Sequence, residues 1–199
     1  MTRLILVGGC SGSGKTLFSS RLAEGLPGPC RIVSTDSYYR DLSGLSAEAR
    51  ETVDFDDAGA CDRALLERQL RALKSGKAVR VPRYDFLTHT RRNAGVVVAP
   101  ADWILLEGIF ALHFAEVRRL ADMKILLKSP LAVCLERRTR RDTEERGRDA
   151  DEVAWRFREH VLPNYLKVAD ALEKVADLVL DARGPVDAIA GLALRRLAG

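Results

Sequence analysis

The chain has 199 residues, 47% of them hydrophobic and 30% charged, which suits one compact globular domain over residues 1–199 with a full-sized core. A net charge of +4 and a pI near 9.0 would also suit a nucleic-acid binder, but the arginines cluster in one stretch mixed with acids, a pattern that a pocket for a polyanionic small molecule explains as well; no nucleic-acid partner is expected. Cys10, Cys30, Cys61 and Cys134 form neither a CxxC pair nor a metal-site spacing, and the N-terminus has no apolar run long enough for a signal or a membrane span, so a cytoplasmic protein with reduced thiols and no membrane partner is expected.

Along the chain, Leu4-Ile5-Leu6-Val7 reads as a buried strand. Gly9-Cys10-Ser11-Gly12-Ser13-Gly14-Lys15-Thr16 follows it and fits the G-x-x-x-x-G-K-[ST] loop; a helical spacing then runs over 15–24. Further short, apolar, β-prone runs fall at 31–34, 103–106, 123–127 and 178–180. Helical patterns alternate with them at 62–74, 131–141, 151–174 and 186–197. Pro185 suits a first helical turn, whereas Pro163 should kink or restart the pattern that contains it. This alternation, with the phosphate-type loop, predicts an α/β protein of the P-loop NTPase fold: a central parallel sheet of about five strands with helices on both faces.

Two stretches interrupt the alternation. Val79-Arg80-Val81-Pro82 and Val96-Val97-Val98 flank a polar loop at 83–95, which predicts a small β excursion over 79–98. Residues 136–149 carry six arginines and five acids without the apolar periodicity of a docked helix. Gly147 would weaken a helix there by roughly 1 kcal/mol against Ala. A mobile, arginine-bearing lid over 138–149 is the expectation.

The loop suits nucleotide phosphates for a physical reason. Gly9, Gly12 and Gly14, with Ser11 and Ser13, let backbone N–H groups turn inward, and the helix behind adds the positive end of its dipole. Lys15 can reach the β- and γ-phosphates and the Thr16 hydroxyl can bind Mg²⁺, so ATP (or GTP) and Mg²⁺ are the expected cofactors. Phosphoryl transfer also needs carboxylates at the strand ends beside that loop. Asp36, just past the strand ending at Ser34, and Glu107, just past Leu106, stand there. Tyr84-Asp85-Phe86-Leu87-Thr88-His89 offers aromatic and imidazole groups that can stack on and hydrogen-bond a planar acceptor. His113 and His160 read as surface or core residues, and Trp155 and Phe157 as core packing.

Several of these segments, in this order, resemble the uridine kinase family of P-loop kinases, relatives of phosphoribulokinase. They are the 9–16 loop, Ser34-Thr35-Asp36-Ser37-Tyr38-Tyr39-Arg40, Val53-Asp54-Phe55-Asp56, the Tyr-Asp-Phe-x-x-His-x-Arg run from Tyr84 to Arg91, Leu106-Glu107-Gly108-Ile109-Phe110, and the Arg-Asp-x-x-Glu-Arg-Gly-Arg-Asp run from Arg141 to Asp149. The resemblance spans nearly the whole chain. It implies transfer of the γ-phosphate of ATP or GTP to the 5′-hydroxyl of uridine or cytidine, hence a small-molecule nucleoside partner, and, from the family's tendency to assemble, a homo-oligomer. Asp36 would accept the hydroxyl proton, and Thr16, Glu107 and Asp36 would arrange Mg²⁺. Asp56 would bind the ribose with Arg138 as its partner, Tyr84 and His89 would read the pyrimidine edge with Phe86 nearby, and Arg148 would reach the base. Arg141 and Arg146 would fold over the phosphates, joining Lys15 and Asp36 in catalysis.

Two departures stand out. Phe55-Asp56 continues as Asp57-Ala58-Gly59-Ala60-Cys61-Asp62, where the family usually has His-Pro-Asp-Ala-Phe-Asp. Arg156 occupies a position that often carries a polar amide; it either points to solvent or adds a fixed donor near the base. A kinase of the same superfamily acting on a sugar phosphate, pantothenate or another nucleoside is the nearest alternative. The Tyr84 to His89 loop disfavours a sugar phosphate, which needs no base reader. A nucleotide-binding switch without an acceptor has no need of Asp36 together with Asp56 and Tyr84.

Overall fold

A computed structural model describes residues 2–198. Its strands, in chain order, are β1 (Arg3–Gly9), β2 (Cys30–Ser34), β3 (Val79–Asp85), β4 (Thr90–Val98), β5 (Trp103–Glu107), β6 (Met123–Lys128) and β7 (Leu178–Asp181). Its helices are α1 (Lys15–Gly25), α2 (Ala47–Glu51), α3 (Arg63–Lys74), α4 (Ala115–Leu120), α5 (Leu131–Arg146), α6 (Ala150–Arg156), α7 (Leu162–Val175) and α8 (Val186–Ala198). Five strands form one parallel sheet in the order β2-β5-β1-β6-β7, and β3 and β4 pair antiparallel outside it. The five-stranded parallel sheet and the separate β excursion are those read from the sequence.

Strand side chains alternate between faces, so the central run is apolar throughout only because both faces are covered. Leu4 and Leu6 pack on one side with Ile104, Leu106 and the α3 stripe Leu66, Leu70 and Leu73. Ile5 and Val7 face the other side, against Leu105, Phe18 and Leu22 of α1, and Ile189 and Ala193 of α8. Each such side chain contributes about 1.5–3 kcal/mol by leaving water. The register then sets the site: Val7 and Ser34 both lie opposite Glu107, so β2 and β5 end level and β1 runs two residues further into the loop that follows it. The chain crosses from β5 to β6 over β1, and the carboxyl edge at such a crossing is where open α/β sheets bind ligands.

Three expectations are corrected here. The 136–149 segment is no irregular flap: α5 continues unbroken to Arg146, and Gly147 ends it in the left-handed conformation (φ 62°). Guanidinium–carboxylate pairs replace the missing apolar periodicity, because Asp142, fully buried, takes Arg141 at 2.7 Å, Arg146 at 3.4 Å and Arg138 at 3.5 Å. The restart expected near Pro163 within the 151–174 pattern is present. A π-helical turn at Phe157–Val161 separates α6 from α7, and Pro163 sits in the first turn of α7, where its missing N–H removes no bond. Trp155 is half-exposed rather than core, while Phe157 is buried. The loop at 83–95 is also mostly strand, since Arg83, Tyr84 and Asp85 pair with Arg92, Arg91 and Thr90, and a register shift falls at Pro82, which has no N–H for the ladder.

Candidate active site

Between β1 and α1 the chain turns through Gly12 (φ 82°) and Gly14 (φ 94°), conformations that only glycine adopts cheaply. A Cβ on Gly12 would lie 2.1 Å from the Cys134 carbonyl oxygen, so the loop is seated tightly against α5. Ser13 N–H donates to the Cys10 carbonyl at 3.0 Å, as does Lys15 Nζ at 2.8 Å, which folds the lysine over the loop. No side chain caps the N-terminus of α1, and the buried Ser13 hydroxyl has no partner. The loop thus presents uncommitted donors beside a buried ammonium, and such a cradle fits a polyphosphate. Burial lowers the Lys15 pKa, and Glu107 and Asp36 offset part of that. Gly9 itself sits in β1, packed against Leu127 of β6, and is the one expected site residue that does not line the cavity described next.

A single cavity of about 570 Å³ runs from this loop along the sheet edge. Asp36 and Glu107 face it from the ends of β2 and β5. Thr16 Oγ1 donates to Glu107 Oε2 at 3.4 Å. Burial raises the Glu107 pKa and nearby Asp36 raises it further, while Lys15 and the Ser34 and Thr16 hydroxyls pull it down. Two carboxylates facing one cavity beside the Thr16 hydroxyl fit a divalent cation. Among the described residues no group of three or more His, Cys, Asp or Glu is placed to hold a metal alone.

At the far end, Asp56 and Arg138 form an ion pair of 3.3 Å, with side chains only 13% and 8% exposed. Burial opposes the charge on each; Asp56 and Asp142 more than restore it for Arg138, whose pKa is raised. Tyr39, Phe55, Tyr84 and Phe86 line the same cavity and touch one another, mostly edge-on, with Tyr39 and Tyr84 tilted at 5.1 Å. His89, in the left-handed conformation (φ 54°), stacks on Phe55 at 4.3 Å and lies 3.5 Å from the Tyr84 hydroxyl. Burial and the Arg148 and Arg156 guanidiniums push its pKa down to about 4. From above, Arg146 covers Phe86 at 3.9 Å, and Arg141 and Arg148 line the same cavity.

Sequence reading passed over several residues that the fold brings here. Tyr39 and Phe55 complete the aromatic wall; both lay inside quoted motifs, and Phe55 beside Asp56 was the available signal. His160, read as surface or core, lines the cavity, 3.5 Å from Asp54, which also accepts from Asn164 at 2.7 Å. Nothing local marks this trio, because the π-helical turn sets the direction of His160. Arg156 faces the cavity rather than solvent. The substituted Asp57 to Asp62 stretch forms a short turn whose ends are used: Asp57 caps it, and Asp62 caps α3 and pairs with Arg91 at 3.2 Å.

Comparison with known proteins agrees with this arrangement. Residues 4–190 match the Phosphoribulokinase / Uridine kinase family. Uridine kinases of Pectobacterium atrosepticum and Salmonella paratyphi A are each 37% identical over 186 residues, covering 91% of this chain and 87% of the relative. Among solved structures, a protein described as a fructose transport system kinase from Silicibacter sp. TM1040 superposes with a TM-score of 0.72 at 25% identity, over 90% of this chain and 89% of its own. D-glycerate 3-kinase of Cryptococcus neoformans shares the fold at 16% identity, with a TM-score of 0.64 over 92% of this chain and 87% of its own. With a glycine-rich loop, two facing carboxylates and an arginine-covered cavity on one sheet edge, the chain belongs to the phosphoribulokinase/uridine kinase family and is a P-loop kinase that phosphorylates an alcohol group.

Proposed function

We propose that this kinase transfers the γ-phosphate of ATP or GTP to the 5′-hydroxyl of a pyrimidine ribonucleoside, uridine or cytidine, working as one domain in the cytoplasm. The observation that carries the proposal is the continuity of the cavity from the phosphate loop, past Asp36, to the Asp56–Arg138 pair and the stacked His89. The phosphate loop and Lys15 hold the donor, and Asp36 accepts the proton of the attacking hydroxyl. Mg²⁺, held by Thr16, Glu107 and Asp36, would neutralise charge on the transferred group when bound. Arg141 and Arg146 add positive charge over it, and their effect is largest once water is excluded. Asp56 and Arg138 hydrogen-bond the two ribose hydroxyls, while Tyr84, His89 and Arg148 meet the base with Phe86 packed beneath Arg146. The uridine kinase relatives and the four free cysteines support the acceptor and the setting respectively.

The test is ADP release from Mg-ATP with uridine, cytidine, 2′-deoxyuridine, adenosine, ribulose 5-phosphate or pantothenate, beside a control lacking acceptor. Turnover confined to the pyrimidine ribonucleosides is expected. Turnover with a sugar phosphate, or equal turnover with 2′-deoxyuridine, would overturn the acceptor assignment.

A further inference from the structure

The turn that carries Asp56 is held from two sides. Its carboxylate pairs with Arg138 of α5 at 3.3 Å, and its backbone N–H donates to Asp54 Oδ1 at 2.9 Å. The other Asp54 oxygen, Oδ2, accepts from Asn164 Nδ2 at 2.7 Å and lies 3.5 Å from His160 Nδ1. Lys167 Nζ donates to the Asn164 amide oxygen at 3.1 Å, which turns the amide N–H groups toward Asp54. One carboxylate thus ties the turn before α3 to the start of α7, 110 residues further along the chain.

This tie is geometric more than energetic. The Asp54 and His160 side chains are 33% and 32% exposed, and charge pairs that open to water add little to stability. Arg138 constrains the tip of the Asp56 side chain, whereas Asp54 constrains the main chain from which that side chain leaves. A carboxylate that must meet a ribose hydroxyl while keeping its arginine needs both, because such a site tolerates only about 0.5 Å of displacement. Asp54 and His160 line the cavity, and Asn164 is not among the described residues that do. Asn164 therefore acts on a bound acceptor only through Asp54.

Resting on the reading of Asp56 as the ribose-binding carboxylate, we propose that Asp54 and Asn164 are positioning residues for the nucleoside. Through the Asp56 backbone they hold the ribose carboxylate at the cavity wall, so recognition of the acceptor depends on them and recognition of the phosphate donor does not. Losing the Asp54 acceptor frees the Asp56 main chain directly. Losing Asn164 leaves that bond in place but unties it from α7, so its effect is the smaller of the two.

The experiment is steady-state kinetics with uridine, 2′-deoxyuridine and ATP, beside urea unfolding, on the whole chain as parent, Asp54→Ala, Asn164→Ala and the double variant. Asp54→Ala should raise KM for uridine by at least about tenfold, and Asn164→Ala by about three- to tenfold, with KM for ATP within about twofold of the parent. The preference for uridine over 2′-deoxyuridine should shrink in the same order. Because Asn164 acts through Asp54, the double variant should match Asp54→Ala to within about twofold. Asn164→Ala with the parent's KM for uridine and the parent's ribose preference would overturn the inference, and it decides alone where Asp54→Ala does not fold. So would KM values for uridine and ATP that rise together as stability falls, the mark of a merely structural role, or single effects that multiply in the double variant. Each of these leaves the proposed function standing. A parent that phosphorylates neither uridine nor cytidine would overturn both.

Discussion

At the phosphate end of the cavity the binding groups come from eight consecutive residues and are mostly main chain, whereas the acceptor end assembles side chains from segments as distant as Asp54 and Asn164. The first needs only that certain positions lack a Cβ and tolerate positive φ, conditions a short loop satisfies by itself. The second needs charges taken out of water and paired, and each partner must arrive from a different element. Arg138 comes from α5, Asp56 from the turn before α3, and Asp142 from the next turn of α5. Function and folding are therefore nearly separable at one end and entangled at the other.

The sharpest probe lies between the two ends. Asp36→Asn should lower kcat by about 10²- to 10⁴-fold, as loss of a general base does, with the affinity for a non-hydrolysable ATP analogue nearly unchanged. Steady-state kinetics beside analogue binding decides this, and turnover close to the parent's would remove Asp36 from the base role. Entanglement at the acceptor end predicts that Arg138→Met destabilises the whole fold by about 3–5 kcal/mol, because Asp56 is left as an uncompensated buried charge while Asp142 keeps Arg141 and Arg146. Urea unfolding measures it; a loss below about 1 kcal/mol, the range of exposed pairs, would erase the contrast drawn here.

At the phosphate end, Gly12→Ala should cost about 1–2 kcal/mol from the left-handed backbone, plus whatever the loop must yield to clear the Cys134 carbonyl. Its main readout is ATP-analogue affinity, expected to fall at least about tenfold while the melting temperature moves little; unchanged affinity would mean the loop is not seated as described. The smallest effect belongs to Trp155. Half-exposed, it should tolerate replacement by Ser with about 0.5 kcal/mol or less of lost stability and an unchanged kcat/KM. A larger loss in an equilibrium melt would place it in packing after all.

Much of the frame was legible because it rests on short-range rules. Buried strands read as continuous apolar runs, α3 shows its stripe at Leu66, Leu70 and Leu73, and each boundary of the five parallel strands fell within two residues of the observed one, since both faces of a covered parallel sheet demand apolar residues. The errors cluster where charge substitutes for apolar periodicity. The α5 extension looked like a flap because its inward face carries Arg138 and Asp142 in place of leucines, and only a partner element can show that such a face is satisfied. Likewise, Trp155, expected in the core, is half-exposed and His160, read as surface or core, lines the cavity, because the π-helical turn between them alters the angle at which successive side chains leave the helix.

The sequence by itself determined the order of the parallel strands and the longer helices and the glycine-rich loop between β1 and α1, because each of these is written in neighbouring residues. Only the tertiary structure decided that Arg156 faces the cavity, that Asp54 gathers His160 and Asn164, and that one buried carboxylate, Asp142, organises the arginines of α5. Those outcomes depend on which charges meet after long stretches of chain have been folded past one another, and pairing energies at that range have no local signature.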